Sequence, residues 1–89
     1  MSRENELKTM LANSSKVVGT KQVLRGISEG TVGCVIVAED AESALKERVI
    51  GAAESAGVPV KSAPSMAWLG DACGIEVGAA AAGIGTQED

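Results

Sequence analysis

The polar side chains at the start of the second expected helix have the types and spacing that could bind a ligand. Gly19 and Thr20 open this helix, and a helix start offers free amide groups and a positive dipole end to an anion such as phosphate. Lys21 and Arg25 add two cations one turn apart. Arg25 can also form two parallel hydrogen bonds with a guanine edge, and Gln22 can both donate to and accept from a base. The pattern indicates a nucleic-acid contact; a plain amphipathic helix with a solvated basic face is the alternative.

A second candidate surface lies between the short fourth helix and the last strand. Here Ile75 and Val77 flank Glu76. Apolar side chains exposed in a surface loop are typical of a binding surface. The alternative is that Ile75 and Val77 enter the last strand and point into the core.

Catalytic chemistry has little support in the residue types. The chain has no histidine, the usual proton-transfer group near neutral pH and the commonest metal ligand. The acidic group Glu39, Asp40 and Glu42 precedes a helix, where a cap at Asp40 and a favourable helix-dipole charge at Glu42 explain it. A nucleophilic Ser65 would need Lys61 as its base. We therefore expect no catalytic residue, no metal and no cofactor.

The two cysteines, Cys34 and Cys73, lie far apart in sequence, each inside an apolar run. Neither belongs to a CxxC pair, so a zinc site or a redox motif has no support. Two buried free thiols are the favoured interpretation, and a disulfide between them is the alternative.

The length predicts one small domain, and the charged residues are unevenly distributed along it. The 89 residues, 45% hydrophobic and 22% charged, suit a single domain over residues 1–89. Net charge is −4, yet residues 7–28 hold four basic residues and no acidic one, while the remainder holds four basic and twelve acidic residues. A local positive field is compatible with a negative total, and chance clustering is the alternative. Because no signal peptide or membrane span is recognisable, we expect a cytoplasmic location.

Helices and strands alternate along the whole chain. Apolar residues at helical spacing predict helices at 3–12, 20–29, 41–56 and 66–73, and short apolar runs predict strands at 16–18, 32–38 and from 58–60 onward. The segment 75–84 is ambiguous, because its alanine run favours a helix and glycines interrupt it; we predict a strand there, since one is needed to complete the sheet. Pro59 suggests the start of a strand or a sheet edge. The residues expected to cap the helices are Ser2, Thr20, Asp40 and Ser65, with Gly30, Gly57 and Gly74 at helix ends. This order predicts an α/β fold, a three-layer α/β/α sandwich with a four-stranded mixed sheet, and a loose tail at 86–89.

Three segments resemble one family. Residues 17–22 (VVGTKQ) resemble the start of the recognition helix in bacterial members of the L7Ae group of ribosomal proteins. Residues 38–41 (AEDA) are similar to that family's strand-to-helix turn. Residues 60–82, which include ACGIEVGAA at 72–80, resemble its C-terminal signature. The match spans about residues 16–84, and three motifs in the correct order are more specific than any one of them.

The resemblance implies a sandwich that binds kink-turn RNA without catalysis. In that family the helix opening with the Gly-Thr motif enters the major groove at the kink and contacts the tandem sheared G·A pairs. By position, the backbone amides of Gly19 and Thr20 and the side chains of Lys21, Gln22 and Arg25 would contact phosphates and guanine edges. The loop formed by Ile75, Glu76 and Val77 would hold an extruded nucleotide.

The chain departs from the family in the fourth helix, where relatives carry lysines and this sequence has Ala67, Trp68 and Asp71. Fewer cations imply weaker RNA binding and a shallower salt dependence. Trp68 should be at least partly exposed. It could stack on a base, anchor a protein partner, or lie flat on its own domain.

Two functions of different classes follow. The leading hypothesis is a monomeric, cytoplasmic ribonucleoprotein component that recognises a kink-turn in ribosomal or other structured RNA. The alternative is a protein–protein interaction domain on the same fold with weak or lost RNA binding, which the net charge and Trp68 favour and the basic segment at 7–28 opposes. An enzyme ranks third, because no acid, base and nucleophile occur together.

Overall fold

A computed structural model describes residues 3–13 and 15–85 of the chain. The expected cap at Ser2 and the expected loose tail at 86–89 lie outside these residues. The eight elements follow the predicted order of alternating helices and strands, and their bounds are α1 Arg3–Asn13, β1 Lys16–Val18, α2 Thr20–Glu29, β2 Val32–Ala38, α3 Ser43–Ser55, β3 Val60–Ala63, α4 Met66–Ala72 and β4 Ala81–Gly85.

The four strands form one mixed sheet in the order β1-β4-β2-β3. The central strand β4 runs antiparallel to both β1 and β2, whereas β3 runs parallel to β2. β3 is therefore an edge strand, as the proline before it suggested. β4 needs a residue without a side chain at Gly83, because a Cβ there would lie 3.0 Å from both γ carbons of Val32.

Helices cover both faces of the sheet, which confirms the three-layer α/β/α sandwich. Side chains of β2 alternate between the faces: Cys34 and Ile36 pack with the helices α1 and α4, while Val35 and Val37 pack with α2 and α3. We call these two apolar clusters the first core and the second core. Their buried members are aliphatic side chains apart from Cys34 and Cys73, and Trp68 packs half-buried against the first core.

Two helix starts differ from the sequence-based expectation. Thr20 was predicted to cap α2, but it is the first helical residue; Gly19 holds the cap position and no side chain caps this end. Asp40 was predicted to cap α3, but a turn closed by the Ala41 amide and the Ala38 carbonyl delays that helix, and Glu42 takes the cap position. Ser65 caps α4 as expected, since its hydroxyl accepts a hydrogen bond from the Trp68 amide at 3.0 Å.

The predicted strand at 75–84 is wrong over its first half, because β4 begins at Ala81. The segment before it folds back onto α4. The Ile75 amide donates to the Gly70 carbonyl and the Ala79 amide donates to the Met66 carbonyl, each at 3.0 Å. Because carbonyl groups of α4 accept the hydrogen bonds of these two amides, most of the segment does not pair with a neighbouring strand. We call residues 75–80 the return loop.

Candidate nucleic-acid interface

One edge of the sheet gathers the chain segments that carry the candidate residues. β1, β2 and β3 all end at this edge, and β4 begins there, because β4 runs antiparallel to β1 and β2. Consequently the start of α2, the turn at 39–42 and the return loop meet at the same place. We call it the site edge.

The start of α2 is fixed to the site edge by its backbone. The Gly19 amide donates to the carbonyl of Ala81, the first residue of β4, at 2.9 Å. Gly19 has a φ of 105°, a conformation that favours glycine, and this lets the chain turn sharply from β1 into the helix. The Gly19 amide, expected to contact phosphate, is thus used within the fold. Because no side chain caps this end, the amides from Thr20 onward remain available to an anion.

The two sides of α2 separate as the sequence indicated. Val23 is fully buried and Leu24 half-buried against the second core, whereas Lys21, Gln22 and Arg25 are exposed. A Cβ at Gly26 would collide with Cγ2 of Val32, so the helix lies directly on the sheet at this point. The exposed polar side chains are thus presented by a rigidly packed helix.

Glu29 is a neighbour of the site that the sequence reasoning missed. Its Oε2 atom accepts a hydrogen bond from Nε of Arg25 at 3.2 Å, and the two side chains are 53% and 74% exposed. The i, i+4 spacing of the two residues was the available signal. This bond uses only the Nε atom of Arg25 and does not engage the two terminal amino groups. It also places an acidic side chain next to a candidate cation.

The return loop presents Val77 to solvent. Its side chain is 70% exposed, whereas Ile75 is half-buried against the first core and Glu76 is exposed. The expectation that Ile75 and Val77 are both exposed is therefore correct for Val77 and only partly so for Ile75. The loop packs closely on α4, because a Cβ at Gly70 would collide with the Val77 carbonyl oxygen.

The start of α2 and the return loop lie at the same edge of the molecule. Val77 is four residues from Ala81, so its Cα lies within about 14 Å of the point where Gly19 is bonded. Lys21 follows Gly19 by two residues, and Arg25 lies one turn further on the same face. A ligand a few nucleotides long would therefore reach both the start of α2 and the return loop.

Acidic side chains share this edge. Glu39, Asp40 and Glu42 are all exposed in the turn after β2, and the Lys46 ammonium donates to the Glu39 carbonyl at 3.0 Å. Asp40 Oδ1 accepts a hydrogen bond from the Met66 amide at 2.7 Å. The site edge is thus mixed in charge, with its cations on α2.

The two cysteines are buried and free, and the described acidic residues form no metal cluster. Burial raises the pKa of the Cys34 and Cys73 thiols above the ordinary value, which keeps both in the protonated, unreactive form. Both are free thiols in the first core, as favoured from the sequence. Within residues 3–13 and 15–85, no three potential ligands among Cys, Asp and Glu form a metal cluster, and no helix is long and apolar enough to cross a membrane.

Comparisons with known proteins agree on one family. Residues 1–89 match the model of the Ribosomal protein L7Ae/L30e/S12e/Gadd45 family. An RNA-binding protein YbxF of Geobacillus stearothermophilus is 53% identical over 68 residues, which cover 76% of this chain and 83% of that protein. An RNA-binding protein of Geobacillus sp. (strain WCH70) is 49% identical over 75 residues, covering 84% and 92% of the two chains. The Giardia lamblia 15.5kD RNA binding protein superposes with a TM-score of 0.82 at 28% identity, covering 96% of this chain and 72% of that one. This chain belongs to the Ribosomal protein L7Ae/L30e/S12e/Gadd45 family.

Proposed function

We propose that this protein binds structured RNA and recognises a kink-turn through the site edge. The observation that carries the proposal is the hydrogen bond between the Gly19 amide and the Ala81 carbonyl, which joins the start of α2 to the end of the return loop. The relatives named as RNA-binding proteins support RNA as the partner. The ribosomal members of the family support ribosomal RNA as one such target. In this proposal the protein acts as a monomer in the cytoplasm.

Each part of the site has a distinct role in the proposal. The Gly19 amide is bonded to the Ala81 carbonyl, so the amide of Thr20 and those that follow it bind phosphate oxygens at the helix start. Lys21 supplies a charge to the backbone, while Gln22 and Arg25 contact base edges. The major groove of ordinary A-form RNA is too narrow for such side chains, so the contacts require the groove to be opened by a kink.

The return loop adds a contact of another kind. Val77 offers apolar surface to the face of an extruded nucleotide, while Ile75 is half-buried against the first core and Glu76 is exposed. Because the loop is hydrogen-bonded to α4, little conformational freedom is lost when a nucleotide docks. A protein that fits only the bent RNA shifts the RNA population toward that form, and this requires no catalysis.

A binding titration tests the proposal. Fluorescently labelled kink-turn RNA is compared with the same RNA in which the tandem G·A pairs are replaced by Watson–Crick pairs. We expect the kink-turn RNA to bind about tenfold more tightly or better. Equal affinity for both RNAs would contradict kink-turn recognition, and binding to neither would favour the protein-interaction alternative.

A further inference from the structure

Asp40 makes a long-range contact that its place in the sequence does not suggest. Its carboxylate accepts a hydrogen bond at 2.7 Å from the amide of Met66, the first residue of α4, which is 26 residues further along the chain. The contact is not a cap of the helix that follows Asp40, because α3 begins at Ser43 with Glu42 before it. Asp40 therefore ties the turn after β2 to the start of a different helix.

The carbonyl group of Met66 also makes a long-range hydrogen bond, in this case with the return loop. Its carbonyl oxygen accepts a hydrogen bond from the Ala79 amide of the return loop at 3.0 Å. A Cβ at Gly78 would lie 3.2 Å from the Met66 Cβ, so the loop passes very close to this residue. Met66 thus links Asp40 to the return loop, because its amide donates to the Asp40 carboxylate and its carbonyl accepts from the Ala79 amide.

The helix between these contacts depends on its caps. α4 has seven residues, too few for a helix to be stable by itself. At its start Asp40 accepts from the Met66 amide, and Ser65 accepts from the Trp68 amide through its hydroxyl and from the Leu69 amide through its carbonyl. Losing the Asp40 bond frees the first of these amides and loosens the end of α4 that holds Ala79.

We propose that Asp40 is a positioning residue for RNA recognition: by holding Met66, it fixes the return loop so that Val77 meets the extruded nucleotide. This inference rests on the proposed function. Asp40 acts without touching RNA, and its negative charge plays no attractive part in binding. The oxygen acceptor matters, and the charge does not.

The test measures binding to two RNAs that differ only at the extruded nucleotide. One is the intact kink-turn RNA, and the other carries an abasic residue at that nucleotide. The wild-type protein should prefer the intact RNA. Asp40→Ala should bind the intact RNA about tenfold more weakly and the abasic RNA as the wild type does, because only the loop contact is lost.

Two further variants separate geometry from charge. Asp40→Asn removes the charge but keeps an oxygen acceptor, and it should retain most of the preference for the intact RNA. Glu39→Ala removes the same charge from the neighbouring residue, whose side chain is exposed, and should also retain the preference. If Asp40→Ala does not fold, Asp40→Leu serves in its place, because leucine has a similar branched shape but no oxygen acceptor for the Met66 amide.

The outcomes distinguish this inference from the proposed function. The positioning role would be overturned if Asp40→Ala lowered the affinity for both RNAs equally, or if Glu39→Ala had the same effect as Asp40→Ala. Either result would leave kink-turn recognition intact. If the wild-type protein fails to distinguish kink-turn RNA from the RNA without G·A pairs, the proposed function itself is wrong. A wild type that recognises the kink-turn but treats intact and abasic RNAs alike overturns the role of the loop.

Discussion

The start of α2 and the return loop lie at the same sheet edge but owe their shapes to different causes. α2 is a ten-residue amphipathic helix whose buried and exposed sides follow from its own residue spacing. The return loop has no repeating pattern. Its course is set by α4, through the Met66 and Gly70 carbonyls and the absence of a side chain at Gly70.

This difference separates what each region contributes to binding. Substitutions on the exposed side of α2 change charge and hydrogen bonding without disturbing the fold. In contrast, substitutions beneath the return loop change its position before any ligand arrives. Stability and RNA affinity should therefore vary independently on the exposed side of α2, and together at the residues that lie beneath the return loop.

The largest effect is expected at Gly70. In Gly70→Ala the added methyl group collides with the Val77 carbonyl oxygen, and this backbone atom cannot move as the end of a side chain could. Overpacking of this kind costs about 3 kcal/mol of unfolding free energy. Urea denaturation gives the change in stability, and titration with kink-turn RNA should show a parallel loss of affinity.

Gly51→Ala is the matched control. Gly51 lies inside α3, is exposed, and has no atom within 4 Å of the position a Cβ would take. Alanine is the better helix former, so this variant should gain about 0.5–1 kcal/mol of stability and keep its RNA affinity. Equal stabilities for the two variants would show that the loop is not closely packed on α4.

Arg25→Ala should reduce RNA binding while leaving stability almost unchanged. A side chain that forms two hydrogen bonds with a guanine contributes about 1–3 kcal/mol to binding. The change is measured with the kink-turn RNA, and thermal unfolding gives the stability of the same sample. Arg48→Ala removes an equal charge from the exposed side of α3 and should cost much less. Equal losses for both variants would mean that Arg25 acts only through its charge.

Much of the fold could be predicted from the sequence because its signals are local. The bounds of β2 and the order of all eight elements follow from apolar runs and helical spacing, and Gly30 has the left-handed conformation expected at the end of α2. Local patterns also located the polar side of α2. Where a residue's partner lies close in sequence, as for Ser65 and Trp68, the interpretation is confirmed.

The errors arose where the partner is distant in sequence. Asp40 has a side chain suited to capping the next helix, and only the folded chain brings the start of α4 within its reach. At 75–84 the alanine run favours a helix but glycines interrupt it, and a strand was predicted because it would complete the sheet. Hydrogen bonds to Met66 and Gly70 take the first half of this segment out of the sheet. Propensity could not reveal these tertiary contacts.

Val77→Ala should have a smaller effect than Arg25→Ala, and only on binding. The side chain is 70% exposed, so its truncation removes little buried surface from the free protein. If a nucleotide covers it in the complex, the lost apolar contact costs about 1 kcal/mol of binding free energy. The loss should disappear with RNA that is abasic at the extruded position. A loss that persists there would place Val77 against another part of the RNA.

Glu29→Gln should give the smallest change, and its sign identifies what the ion pair does. An exposed i, i+4 pair stabilises a helix by only about 0.3–0.5 kcal/mol, so unfolding should hardly change. If Glu29 draws Arg25 away from the RNA and repels phosphates, the variant should bind kink-turn RNA about twofold more tightly. Glu54→Gln, near the end of α3 and away from the site edge, is the control for loss of one negative charge. Weaker binding by Glu29→Gln would instead mean that Glu29 orients Arg25 toward the guanine, because glutamine accepts the Nε hydrogen bond less strongly than a carboxylate does.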